Sequence, residues 1–527
     1  MENKQSLILL FFILILGFSA CKKEIKNPEK IDHDTKEDLI KDSVFYYTKF
    51  LSLWQEYMPP RNVDDILKQD VLRKYTQAFS SGEEVLYSLV KLTPNDPLTN
   101  RPIDRFSFLD RDGEISGEMQ GIATTSFGVT FFFLQDSEER NRYDLSVQMV
   151  DKASPAYTAG MRRGDKVLSI NGDDKIVSVY GDNPEDPLLG KYLTAGSMII
   201  KFVNKKGVII EKEITSGTFI PNPILADNIL DLAGKKVGYL AFNSFLNIDE
   251  SVGTNGEGGV FVKTDMYHAF EKVFKNFESA GVDELVVDLR YNGGGSVLTA
   301  EYLADKIVPS AMDKKLMYTN QVNGTLESWG WLDEGDEFGP VYFSKKGHLN
   351  LRRVYFLVTS ATASASELLM NVLEPHMEVY IVGTYSNRDG NQIADNTYGK
   401  PVGFFGIPIV DPKIELYVTS FMTINSDNNK GGKSSKRYDG GEYFGGMKPD
   451  AHVWEFGSFA DFGDKEESML SAALNHIQTG SFESLTRSIS KVASSNMRKE
   501  RPKSHIQIGG SKLKNGMYKF PKRNLLK

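Results

Sequence analysis

Three short stretches of this 527-residue chain carry residue types from which covalent chemistry is built. The first, Thr362-Ala363-Ser364-Ala365-Ser366-Glu367-Leu368-Leu369, follows the apolar run Val354 to Thr359 and opens a helical pattern reaching Leu373. Hydroxyls so close to a helix start can all be caps. A serine there has a second use, because the free N–H groups of a helix N-terminus can stabilise an oxyanion formed beside it. The second stretch is Asp288-Leu289-Arg290-Tyr291-Asn292-Gly293-Gly294-Gly295, whose glycines let a backbone N–H face a ligand without side-chain obstruction. No Gly-Lys-Ser/Thr follows, which discounts a phosphate loop. The third is Asn396-Thr397-Tyr398-Gly399-Lys400, followed by Pro401-Val402-Gly403. A serine nucleophile needs a base. The seven histidines show no metal-binding or elbow-type spacing that would nominate one.

Together these strings resemble the motifs of the C-terminal processing (tail-specific) serine proteases. The resemblance implies that Ser364 is the nucleophile, that Lys400 is the base, and that the N–H groups of Gly294 and Ala365 form the oxyanion hole. It implies no metal and no organic cofactor. For an amine to act as base near pH 7 it must be neutral, far below lysine's ordinary value of about 10.4, and burial beside apolar groups does this. Tyr398, Pro401, Val402 and Phe404 supply such surroundings. Further on, Gly445-Gly446-Met447-Lys448-Pro449-Asp450 resembles the element that closes the family's catalytic domain. Two departures stand out: the stretch Thr384 to Ala394 intervenes before the lysine and reads as a surface insertion, and Phe404 stands where some members carry an orienting glutamine. The implied function is a serine endopeptidase acting on exposed or unfolded polypeptides. The rival is a catalytically silent peptide-binding lipoprotein.

The elements that must position these residues point to a multidomain α/β protein. From residue 218 to 480, strands such as Val237 to Phe242 and Glu284 to Leu289 alternate with helical patterns such as Met266 to Ala280, which predicts a layered α/β catalytic domain. By the family resemblance it is crotonase-like. Residues 117–217 alternate short apolar strands with turn signals. Within them, Ala153 to Gly172 resembles the helix-turn-strand signature of PDZ domains. That likeness places a carboxylate-binding loop at Ser126, Phe127, Gly128 and Val129, where a polypeptide C-terminus would add a strand to the sheet edge. Residues 38–116 show three helical patterns and read as a small helical N-terminal domain.

The ends place the chain in the cell. Residues 1–20 read as a signal peptide, with the apolar run Leu7 to Phe18 closed by Ser19 and Ala20. Cys21, the single cysteine, resembles the acylated residue of a bacterial lipoprotein, with 21–37 as tether. The expectation is a lipid-anchored envelope protein, at an outer membrane or cell surface. Composition is that of a globular protein, 40% hydrophobic and 25% charged with net charge -8, and it does not suggest a nucleic-acid binder. Residues 481–527 form a basic tail of low hydrophobicity, which fits a solvated, partly disordered end. Oligomeric state is open at this level.

Overall fold

The computed structural model describes residues 34–97, 99–135, 142–180, 187–252, 260–388, 391–427, 443–482, 502–504 and 515–520. The leader, Cys21 and most of the tether and tail lie outside them. The first helix, α1 (Lys36–Leu51), opens where Thr35 and Asp38 satisfy each other's backbone N–H groups. Two more follow, α2 (Gln69–Thr76) and α3 (Gly82–Val90). Expected as a domain of their own, these helices instead share one core with the main body, where Ile40, Val44, Leu51 and Leu89 cluster with Phe405, Ile407 and Val418. The reason lies in α1, which is buried nearly all round from Val44 to Leu51 and so has to sit inside a larger core. A short strand, β1 (Phe108–Asp110), stitches the same segment to the body by pairing with Tyr417, Leu416 and Glu415.

A second, separate core belongs to residues 127–214. Its strands are β2 (Val129–Gln135), β3 (Arg142–Val150), β4 (Lys166–Ile170), β5 (Ser178–Tyr180), β6 (Ser197–Val203) and β7 (Ile209–Thr215). They form an antiparallel sheet in the order β2-β3-β4-β6-β7, with β5 also on β3. Between β3 and β4 runs a one-turn helix, α4 (Pro155–Thr158), capped by Ser154 with Pro155 in its first turn.

The main body begins with β8 (Ile224–Leu232) and β9 (Lys235–Phe242), then α5 (Asp265–Ala280), β10 (Glu284–Asp288), β11 (Gly294–Ser296) and α6 (Val297–Ile307). It continues through β12 (Leu316–Gln321), β13 (Val341–Tyr342), β14 (Arg353–Leu357), α7 (Ala365–Leu373) and β15 (Glu378–Gly383). After a hairpin, β16 (Tyr385–Arg388) and β17 (Asn391–Ala394), come β18 (Val402–Ile409), β19 (Asp411–Asn425), β20 (Ala451–His452) and α8 (Ser468–Thr479).

One sheet, β8-β9-β10-β14-β15-β20, is parallel from β9 onward. All five residues of β10 are buried, as a strand covered on both faces requires. Val287 and Phe356 face α5, α6 and α7, while Val286 and Tyr355 face α8. The other sheet is built on the long antiparallel pair β18 and β19, extended by β12 and β13. Two strands from the tail complete the picture: β21 (Pro502–Ser504) on β2, and β22 (Gly516–Lys519) between β11 and β18. For Gly516 to Tyr518 the expectation of a solvated tail therefore fails, since these residues are buried. Averaging over a basic segment hid one short apolar strand.

Candidate active site

β10 and β14 are parallel neighbours, so the loops leaving their carboxyl ends rise side by side, where open α/β sheets bind ligands. One loop carries the glycines and the other carries Ser364. Asn292 ties them together: its backbone carbonyl accepts from Ala363 N–H at 3.1 Å and from Ser366 Oγ at 3.0 Å, and its Nδ2 donates to Phe242 O at 2.9 Å. Thr362 Oγ1 adds a bond to Leu289 O at 2.7 Å. Two of the hydroxyls near the helix start are thus structural.

Ser364 is different. Its backbone sits at φ 63° and ψ −109°, a conformation that side chains resist at a cost of about 1–3 kcal/mol, on a sharp turn from strand into helix. Its Oγ is fully buried and makes no hydrogen bond of normal geometry among the described residues, its one polar approach being the capping-box contact with the Glu367 N–H. A strained backbone presenting a buried hydroxyl so poorly bonded contributes nothing to stability, which points to chemistry. Ala365 begins α7, so its N–H is one of the free donors of the helix start.

The backbone of Lys400 is held next to this turn, on the carboxylate that also holds the Ser364 N–H. Lys400 is fully buried, and burial pushes its amine well below the ordinary lysine range, against the opposing pull of the Asp104 and Glu367 carboxylates. Nζ lies 3.4 Å from the centre of the Phe404 ring and 4.9 Å from that of Phe106. It donates to Asn515 O at 2.8 Å.

The serine and lysine segments are joined by one carboxylate. Glu367 Oε2 accepts from the N–H of Ser364 at 2.8 Å and from that of Lys400 at 2.9 Å, bringing those two nitrogens within about 6 Å of each other. Its Oε1 accepts from Gly399 N–H at 2.8 Å and from Thr397 Oγ1. Burial pushes the Glu367 carboxyl up, while its four donors favour the anion.

The structure thus gathers Ser364, Ala365, Gly294 and Lys400 in one place, Ala365 N lying 2.8 Å from where a Cβ on Gly294 would stand. One expected detail is corrected. Gly294 N–H does not face an open site but donates to Asn292 Oδ1 at 2.9 Å, because an asparagine two residues earlier offers a nearer acceptor. Ser126, Phe127, Gly128 and Val129 lie apart, Phe127 and Val129 in the second core. There Gly128 takes φ 70°, its N–H donates to Ser126 Oγ at 3.1 Å, and Val129 opens β2.

Sequence reasoning missed several partners. Glu367 has the spacing of a capping-box acid three residues after Ser364, a signal that would have predicted its bond to the Ser364 N–H. Phe404 does more than supply apolar surroundings, since its ring lies directly against the amine. Asp104 and Phe106 come from the N-terminal segment, where no chemistry was expected. Tyr291 stands in the glycine turn, where its sequence position signals no partner. Its hydroxyl bonds Glu455 and the fully buried Arg163 of the small sheet, at 3.2 Å from the latter, so a buried network links that sheet to the glycine loop.

Fold and site together define a layered α/β body with a serine on a strained strand-to-helix turn and a desolvated lysine fastened beside it. Residues 236–398 match the model of peptidase family S41. Among curated relatives, a carboxyl-terminal-processing protease of Picosynechococcus sp. (strain ATCC 27264 / PCC 7002 / PR-6) is 24% identical over 318 residues, covering 60% of this chain and 65% of the relative. The carboxy-terminal processing protease CtpB of Bacillus subtilis (strain 168) is 23% identical over 280 residues, 52% of this chain and 48% of that one. The chain therefore spans about half to just under two thirds of the length of these relatives. In fold, it is similar to the crystal structure of a candidate S41 protease from Bacteroides fragilis NCTC 9343, with TM-score 0.60 and 22% identity, covering 86% of this chain and 99% of the other.

Proposed function

We propose that this chain is a serine endopeptidase of the tail-specific kind, in which Ser364 attacks a peptide carbonyl and Lys400 takes its proton. The acyl-enzyme that forms is hydrolysed by water, Lys400 acting first as base and then, once protonated, as acid to the leaving amine. Ala365 N–H stabilises the oxyanion, and Gly294 N–H joins it when Asn292 releases it. The observation that carries this reading is the buried Ser364 Oγ, with no hydrogen bond of normal geometry among the described residues, on a strained turn fastened through Glu367 to a lysine whose amine burial holds low. A silent peptide-binding protein would have no need of that strain or of a desolvated amine.

The small antiparallel sheet is read as a PDZ module. Support comes from the order strand, capped short helix, strand, and from Gly128 preceding β2, the outermost strand of the module's own sheet, on which only the tail strand β21 is added. In this reading Ser126 to Val129 hold a substrate's C-terminal carboxylate, and the Arg163–Glu455–Tyr291 network couples that sheet to the catalytic loop. Substrates are exposed or unfolded polypeptides with accessible C-termini. Cys21 is the acylated residue that anchors the protein in the cell envelope. The test uses a form beginning at Lys22, an unstructured polypeptide ending in a free apolar carboxylate, and Ser364→Ala and Lys400→Ala variants. Cleavage by the parent alone supports the proposal; binding of the polypeptide with no cleavage by any of the three overturns it.

A further inference from the structure

The short strand from the basic tail enters the fold beside the catalytic residues. β22 lies between β11 and β18 and runs parallel to both, with Gly516 opposite Gly294 and Tyr518 opposite Ser296 and Phe404. Gly516 N–H donates to Gly293 O at 2.9 Å. One residue earlier, Asn515 O takes the bond from Lys400 Nζ at 2.8 Å, and Ser364 Oγ is left without one. A Cβ on Gly294 would stand 2.5 Å from Gly516 O, so the glycines of β11 let a second main chain approach at a distance that side chains would forbid. A slot bounded by peptide groups on both sides takes an extended segment through main-chain bonds, with side-chain pockets selecting among sequences. The same tail also adds β21 antiparallel to β2, the edge strand that follows Ser126 to Gly128, with Pro502 opposite Leu134.

We propose that the C-terminal segment is an intramolecular ligand of the substrate slot: Asn515–Lys519 holds the strand position of an incoming polypeptide, and the full chain turns over only when a polypeptide displaces it. The identity of the competitor rests on the peptidase reading. A tethered segment acts at an effective concentration on the order of millimolar, so a strand of modest intrinsic affinity keeps the slot filled. The tail also states what the slot accepts. Gly516 meets main chain, while Met517 and Tyr518 are 0% and 1% exposed, the tyrosine ring lying 5.3 Å from that of Phe404 and 5.5 Å from that of Tyr417. The matching polypeptide is an extended segment with glycine followed by two large apolar residues.

Two measurements decide this. Gly516→Pro removes the N–H that bonds Gly293 O and bars the ladder. Cleavage of an unstructured polypeptide should rise roughly tenfold or more, as it does when a competent state goes from rare to dominant. A synthetic peptide spanning Leu513 to Phe520 should return it to the parent level. Where the parent cleaves, a Gly516→Pro chain that melts like the parent and cleaves no faster overturns the proposal. The second measurement leaves the tail intact: in full-length Ser364→Ala, hydrogen exchange at Met517, Tyr518 and Lys519 is followed with and without excess unstructured polypeptide. Exchange faster by roughly tenfold supports displacement, and unchanged exchange overturns it. Because this readout needs no cleavage, a chain that never cleaves refutes the peptidase reading while exchange still decides the occupancy.

Discussion

Replacing Lys400 by methionine should make the protein at once more stable and inactive. Methionine fits the same aromatic surroundings, Phe404 and Phe106, without a charge to desolvate. The parent's amine is held below the ordinary lysine range by burial, so between that depressed value and about 10.4 the unfolded chain carries a proton that the folded chain does not. Across that window parent stability rises with pH by about 1.4 kcal/mol per unit, the penalty being fully present below the folded value and gone above about 10.4. The methionine chain lacks this slope. Against the gain stands one lost bond, Lys400 Nζ to Asn515 O, of about 1 kcal/mol. Urea unfolding of both chains between about pH 8 and pH 10 should show the variant ahead at the lower pH and the gap closing at that slope. Turnover should fall by on the order of 10⁴-fold. Parallel stability profiles would refute the reasoning, because they would mean that Lys400 titrates as an exposed lysine does.

Ser364→Gly relieves the strained turn and should raise stability by about 1 kcal/mol in thermal unfolding, while abolishing cleavage; lower stability would show that the turn is not strained. Glu367→Gln sets an amide nitrogen against two of the four donors and should cost about 2–4 kcal/mol in urea unfolding, with activity lost as the serine and lysine segments separate. A variant as stable and active as the parent removes Glu367 from its positioning role. Arg163→Met takes the cation from a buried network and should cost about 3 kcal/mol, with reduced kcat through Tyr291; unchanged kcat would uncouple the small sheet from the site.

The α/β body was legible because its strands are long enough to be periodic and its helices carry clean stops. Val237 to Phe242 lies within Lys235–Phe242, and the helix expected from Met266 begins at Asp265, capped by Thr264 and ended at Gly281 with φ 67°. The two central residues of the site were legible only through family resemblance, since nothing local separates Ser364 from Ser366. What separates them is tertiary: Ser366 Oγ finds Asn292, and Ser364 Oγ finds no such partner among the described residues. The N-terminal helices were misjudged as independent because amphipathic spacing reports which face is buried, and not against what. Phe106 and Asp104 reach Lys400 from nearly three hundred residues away in sequence, and no local pattern announces a contact of that range.

The insertion before the lysine closes on itself as the hairpin β16–β17, Tyr385 pairing with Ala394, and the chain is gripped again at once, by Glu367 holding Thr397, Gly399 and Lys400. The base of the hairpin is tied to the body, by the Glu455 N–H on Thr384 Oγ1 and by Tyr385 against His452, so the length that is free to vary lies between Arg388 and Asn391. Doubling such a loop adds only about 0.6 kcal/mol of closure entropy. For an engineer this is a port: a fluorophore-bearing segment or an affinity tag can be grafted at the hairpin tip without disturbing the register of the lysine.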